Sequence, residues 1–338
     1  MKDRYPFALI VIFLGMLLIP LRTLALDPNA IEESFYTRGR LINLTSNLRL
    51  KLGDRVFPKV IVGENGWLIF TGEGDIQDYQ KAEAFTEAEL AIFQTNLDAL
   101  SANYAERGIT LLVVVVPNKN TIYPERVPSQ IGVIGTASRL EQVASYLQTH
   151  GHTQILDLRP ALTAAKAEHE IYYATDTHWN GYGSYLAYSA ILNELQKTFP
   201  KLAPRPVSNF KIVEREAETM DLAGNIGTTL LPESKIQFVP QYDQHTSYKT
   251  VNLGGRRLMF SSNADEGLPD LVMYYDSFFF TVNPMLGEHF HQGVFVQNYS
   301  GGGIWNLSWV DERQPDIVII EFSERYLEDL PAFILPNR

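Results

Sequence analysis

The run Ile109-Thr-Leu-Leu-Val-Val-Val-Val116 constrains this chain more than any other stretch. Its aliphatic residues leave no polar face for water, and strands apolar on both sides belong to parallel sheets covered by helices above and below. An amphipathic helix precedes the run at 86–107 and is closed by Gly108. After it the pattern recurs: helix at 137–149, short strand at 154–158, helix at 159–169, helix at 181–199, and further apolar strands at 271–275, 294–298 and 316–321. The alternation predicts an α/β protein with a three-layer α/β/α, doubly wound parallel sheet; the strands are too few for an eight-fold barrel.

Composition narrows what such a fold can serve. A net charge of −11 with no basic block leaves nothing to neutralise phosphates, which argues against nucleic acid or an anionic membrane surface as a partner and favours a neutral or polar one. The absence of cysteine removes disulfides, thiolate metal sites and cysteine nucleophiles together. An apolar run at 7–20 follows Lys2 and Arg4 and continues, broken by Arg22, to Leu26. Its uninterrupted part suits a signal-peptide core; the continuation, with no small-x-small cleavage site before Asp27, favours an uncleaved anchor, and either one places the remainder outside the cytoplasm. The expected organisation is therefore a signal anchor or signal peptide at 1–26, a membrane-proximal helix and β-hairpin at 27–85, and a catalytic domain at 86–338. The hairpin is signalled by Asn65-Gly66 between apolar runs, with Trp67 packing it onto the core. Within 86–338, a proline-containing, β-rich insertion at about 204–268 interrupts the rhythm, and its Asp221-to-Gly227 stretch reads as a helix cap with a glycine turn.

Chemistry concentrates at Asp176-Thr-His178-Trp179. A carboxylate two residues from an imidazole can hold one ring nitrogen as N–H and leave the other as a base. The bland alternative is an N-cap followed by a surface histidine, because a helix follows. A nucleophile is supplied at Ser277, directly after the strand at 271–275 and at a helix start whose free N–H groups are aimed at an oxyanion; the alternative there is again a plain N-cap. The strand ending at Asn298 runs into Gly301, Gly302 and Gly303, where backbone can approach a substrate closely, or which form only a flexible turn. Lys119 and Tyr123 follow the strand at 109–116, at its carboxyl end, as expected site-wall residues beside the simpler choice of a solvated lysine. The remaining histidines show no ligand spacing with carboxylates, so neither metal nor cofactor is expected.

Gly63-Glu-Asn-Gly-Trp-Leu68, Pro117-Asn-Lys119, Tyr123-Pro124, Asp176-Thr-His-Trp179 and Asp276-Ser-Phe278 together resemble the alginate O-acetyltransferases of the AlgX/AlgJ type, a branch of the SGNH hydrolase-like superfamily. The resemblance covers most of the chain from about Phe57. It implies a flavodoxin-like sheet in circularly rearranged order, with the Asp–His pair ahead of the serine: Ser277 as nucleophile, His178 as base, Asp176 as orienting acid. Asn298 with the glycines matches the block that supplies an oxyanion N–H. The superfamily's Gly-x-Asn-Asp block has no counterpart, and Arg325 is the suggested substitute donor. The implied activity is acetyl transfer through an acetyl-serine to a polysaccharide acceptor, with a membrane-bound O-acyltransferase as acetyl donor. Trp179, Tyr182 and Trp305 are sugar-stacking candidates, each with core packing as the alternative. The competing functions are an acetyl-esterase built on the same triad and a catalytically silent glycan-binding scaffold.

Overall fold

The computed structural model describes Val11, Leu14 and residues 38–253, 256–298 and 307–329. The expected N-terminal segment, apart from those two residues, and Gly301, Gly302, Gly303 and Trp305 lie outside the described residues. Among the described residues no helix is long and apolar enough to cross a membrane.

The strands in chain order are β1 (Val56–Phe57), β2 (Val60–Val62), β3 (Leu68–Phe70), β4 (Thr110–Val116), β5 (Ile155–Asp157), β6 (Phe210–Thr219), β7 (Pro232–Pro240), β8 (Thr246–Leu253), β9 (Arg256–Asn263), β10 (Leu271–Tyr275), β11 (Gln292–Gln297) and β12 (Ile317–Ser323). Seven of them form the main sheet in the order β5-β4-β12-β10-β11-β9-β8. The five from β5 to β11 are parallel, and β9 and β8 extend the sheet antiparallel. The aliphatic run becomes β4, and its alternation feeds two cores: Leu112, Val114 and Val116 face one layer, Val113 and Val115 the other. Strand β10 divides in the same way, with Met273 and Tyr275 against Val272 and Tyr274, so buried side chains line both faces of the sheet. The first layer includes the helix Gly181–Leu195 and the second the helices Glu87–Glu106 and Arg139–His150. Both helices of the second layer open on a complete capping box, Thr86 with Glu89 and Ser138 with Glu141, which satisfies amide donors that a helix start otherwise leaves open.

The Asn-Gly hairpin is present. Asn65 and Gly66 both take positive φ, 55° and 79°, between the antiparallel β2 and β3. Trp67 is buried against Tyr123, with ring centroids 4.6 Å apart, and the Leu68 amide donates to the Ala174 carbonyl at 2.8 Å, so the hairpin is stitched to the loop that carries Asp176.

The segment at 204–268 does not behave as one insertion. Strands β6 and β7 make a separate two-stranded ribbon, whereas β8 and β9 belong to the main sheet. Their sequence hides this because β8 is an edge strand, largely exposed and polar, with Lys249 in it, while β9 covers the open side of β11. The helix expected to start at Ser277 is a 3-10 turn, Ser277–Phe280, followed by a short helix, Asn283–Gly287.

Candidate active site

Every parallel strand ends at the same edge of the sheet, and the edge after β10 carries Ser277. Asp276 fixes this corner. Its carboxylate accepts from the Phe278 amide and from the Ser323 amide at the end of β12, both at 2.9 Å, and its own amide donates to the buried Glu321 carboxyl at 2.9 Å. These bonds hold the turn between β10 and β12 and leave the Ser277 side chain exposed. Asp276 therefore does the capping at this turn, not Ser277.

The histidine arrives on a loop closed on itself. Tyr172 and Trp179 form an isolated antiparallel bridge, and the Tyr173 amide donates to the His178 carbonyl at 3.2 Å. The helix that follows is capped by Asn180, whose Oδ1 accepts from Tyr182 and Gly183. Asp176 is thus not the cap of that helix; its Oδ2 accepts from the Asp221 amide at 3.4 Å. Its Oδ1 lies 2.6 Å from His178 Nδ1 and also accepts from the His178 amide at 2.9 Å. On the other side of the ring, His178 Nε2 lies 2.8 Å from Ser277 Oγ. The carboxylate–imidazole–hydroxyl line is continuous at hydrogen-bond distance, the arrangement that lets a histidine draw a serine proton.

Two loops that meet only through side chains need bracing, and buried residues supply it. Trp179 is buried, its Nε1 donates to the Phe278 carbonyl at 3.0 Å, and it ties the histidine loop to the serine turn. Phe278 packs against the His178 ring, with centroids 4.8 Å apart. Lys119, expected on the site wall, is instead buried beneath the site. Its ammonium donates to the carbonyls of Asp176 at 2.6 Å and of Tyr173 and Ala174, each at 3.2 Å, and burial pushes its pKa down to about 8. Tyr123 is buried as well, accepting from the Ile171 amide at 2.9 Å between Trp67 and Tyr172. Neither lines the cleft. Lys119→Met is expected to leave the Asp176 and Tyr173 carbonyls without a donor, the Ala174 carbonyl keeping the Leu68 amide, and to lower kcat by about 100-fold, with KM nearly unchanged, because misplacement near 1 Å carries that cost; steady-state kinetics of the folded variant checks the split.

Arg325, the suggested oxyanion donor, is buried near Asp75 with its guanidinium 5.7 Å from the Phe278 ring centre, and it does not line the cleft. The Asn298 amide is occupied by the Tyr275 carbonyl at 2.8 Å, and its buried Nδ2 has no partner among the described residues. The Phe278 amide is taken by Asp276, which leaves the amide of Ser277 as the donor that this turn offers.

Asp221 was hidden in the sequence, where it reads only as a helix cap. It sits 45 residues after Asp176 and yet its Oδ2 lies 3.6 Å from His178 Nδ1, held by the Thr177 amide at 2.8 Å and the Thr177 hydroxyl at 2.5 Å. The ligand atoms of Asp176, His178 and Asp221 lie within 4.8 Å of one another. Burial pulls the His178 pKa down, but the bond and charge of Asp176 with the charge of Asp221 outweigh it, and the net shift is upward. Burial and the neighbouring Asp176 push the Asp221 carboxyl up, while Asp176, despite its burial, is held low by His178. Only neutral imidazole can act as base, so activity is lost as pH falls through this raised value. The acid limb of kcat/KM is expected above the ordinary histidine value of about 6.5. Asp221→Asn removes one raising charge and is expected to move that limb to lower pH in a pH–rate profile.

Beside the serine opens a cleft of about 530 Å³. Trp179, Phe278, Phe280 and Met285 line one side and Ile236 and Phe238 of β7 another. The ribbon approaches closely because Gly181 has no side chain: a Cβ there would stand 2.5 Å from the Ile236 carbonyl oxygen.

Comparison with known proteins bears on the fold and the family. A solved DHHW family protein from Eubacterium siraeum superposes with a TM-score of 0.58 at 15% identity, covering 84% of this chain and 99% of that one. Bacillus cereus PatB1 superposes at 0.57 with 13% identity, covering 79% and 96%. At these identities the likeness is one of fold. A curated relative, the probable alginate O-acetylase AlgJ of Pseudomonas syringae pv. tomato, is 25% identical over 88% of this chain and 76% of its own length. Because the family described as the SGNH hydrolase-like domain of acetyltransferase AlgX matches residues 60–266, more than half of the sequence, the chain belongs to that family.

Proposed function

We propose that this chain is an extracytoplasmic O-acetyltransferase that moves acetyl groups onto hydroxyls of an exopolysaccharide or cell-wall glycan through Ser277. The observation that carries this is the unbroken line from Asp176 through His178 to the exposed Ser277 hydroxyl, with steps of 2.6 and 2.8 Å, at the mouth of the cleft. His178 Nε2 takes the Ser277 proton while Oγ bonds to the acetyl carbonyl carbon. The oxyanion rests on the Ser277 amide, and its collapse expels the donor's oxygen or sulfur, which takes the proton back from His178. A sugar hydroxyl, deprotonated by the same histidine, then attacks the acetyl-serine and restores the free serine. Asp176 keeps Nδ1 as the N–H side throughout.

The family's acetyltransferase description and a relative named as a probable alginate O-acetylase support transfer to a glycan. The acetyl donor in this reading is a membrane-bound O-acyltransferase, and the apolar run at 7–20 anchors the chain beside it. Given an acetylated chromogenic ester with and without oligosaccharide, the protein is expected to place acetyl on the sugar. Release of acetate to water alone, unaltered by any acceptor, would mean an esterase instead.

A further inference from the structure

We propose that the helix Arg38–Lys51 lies on a membrane surface, with its outward leucines among the acyl chains and its basic residues on anionic lipid headgroups. Leu41, Leu44, Leu48 and Leu52 recur at spacings of three and four residues and so share one face, and they are 50%, 66%, 55% and 77% exposed. This stripe is not the helix's attachment to the protein. The opposite side provides that: Asn43 Nδ2 donates to the Gly227 carbonyl at 3.0 Å, Asn47 Oδ1 accepts from the Thr228 hydroxyl at 2.5 Å, and Leu50 packs on the cluster containing Phe57, Leu222 and Ile226. Among the described residues nothing covers the leucine side.

Charge selects the occupant. The net charge of −11 argues against an anionic surface for the chain as a whole, but residues 38–55 reverse it locally, with five basic side chains and one acid. Asp54 neutralises Arg49 at 2.7 Å; Arg38, Arg40, Lys51 and Arg55 remain as the basic complement. At helical pitch Arg38 and Arg49 flank the leucines on one side and Arg40 and Lys51 on the other. Cations on both sides of an apolar stripe fit a flat headgroup plane, where long side chains reach outward while their stems stay with the lipid. The apolar run at 7–20 stands only residues 21–37 ahead of this helix, which brings it to the bilayer whenever that run inserts. The helix also backs onto the short helix Asp221–Asn225, whose Leu222 and Ala223 amides hold the Thr175 carbonyl in the histidine loop, so the surface lies one element away from the catalytic machinery. The lipid contact itself does not depend on the catalytic reading.

The chain has no cysteine, so a single introduced one reports alone. Leu44→Cys and Leu48→Cys in the full chain, with Ile92→Cys on another helix as control, would carry a bimane probe into phosphatidylcholine–phosphatidylglycerol vesicles containing doxyl-labelled lipid. Circular dichroism and ester turnover establish that each variant is folded. Emission from positions 44 and 48 is expected to be at least halved by the doxyl lipid while position 92 is unaffected. Adding Arg40→Gln and Lys51→Gln is expected to lower the helix's bound-to-free ratio about fivefold per residue. Probes at 44 and 48 that stay as unquenched as the control overturn the proposal. So does a probe shielded from water yet insensitive to doxyl lipid, because a protein surface (residues 1–37, a second copy or a partner) would then cover the stripe.

Discussion

Ser277→Ala is expected to lower acetyl transfer by at least about 10,000-fold while leaving the fold intact. The Ser277 hydroxyl is the group that faces the free nitrogen of His178, at 2.8 Å, and alanine leaves that nitrogen with nothing to deprotonate but water. The residue is exposed, and the corner it occupies is held by Asp276, so truncation removes one solvated hydroxyl and no packing. The change in unfolding free energy is expected within about 0.5 kcal/mol. Transfer rates and thermal unfolding measured on one preparation separate the two effects. A loss below tenfold in transfer, with the protein folded, would place the nucleophile elsewhere.

Asp176→Asn is expected to cost a similar factor, about 10,000-fold in kcat, by a different route. The carboxylate accepts from His178 Nδ1 at 2.6 Å and so keeps the proton on that side. An asparagine can present its NH2 to the same nitrogen. The proton then moves to Nε2, toward Ser277, and the base is lost though every atom stays near its place. Asp221, with its oxygen 3.6 Å from Nδ1, is the only other carboxylate among the described residues paired with this ring, so Asp176→Asn with Asp221→Asn is expected to be worse than the single change. Nitrogen NMR of the His178 ring reads the tautomer directly. A ring still protonated at Nδ1 in a variant that has lost its activity would contradict this explanation.

The two ends of the catalytic line were legible because each is announced locally. Asp176 and His178 are two residues apart, and Ser277 follows an unmistakable buried strand. What could not be read was whichever role depended on a distant partner. Asn180, not Asp176, caps the following helix. Asp221 has the local signature of a helix start, and only the packing of the segment after β6 against the histidine loop brings it to the ring. Lys119 reads in the sequence as a site-wall residue or a solvated loop lysine, yet three carbonyls converge on its ammonium, a match that exists only after the hairpin and the histidine loop have docked. Strand β8 escaped because an edge strand carries too few apolar residues to announce itself, and β9 because its apolar run, Leu258-Met-Phe260, is short and flanked by Arg256-Arg257 and Ser261-Ser-Asn263. The parallel sheet was plain for the converse reason: β4, β10, β11 and β12 are buried on both faces and have almost no polar residue to disguise them.

The central claim is that acetyl passes through Ser277. Mixing the protein with an acetyl ester, quenching in acid during turnover and mapping peptides by mass spectrometry tests it most directly. The prediction is one acetyl group on the peptide containing Ser277, absent from Ser277→Ala and discharged on adding an oligosaccharide acceptor. Transfer proceeding at full rate with Ser277 never acetylated, or with acetyl held at another residue, would contradict it.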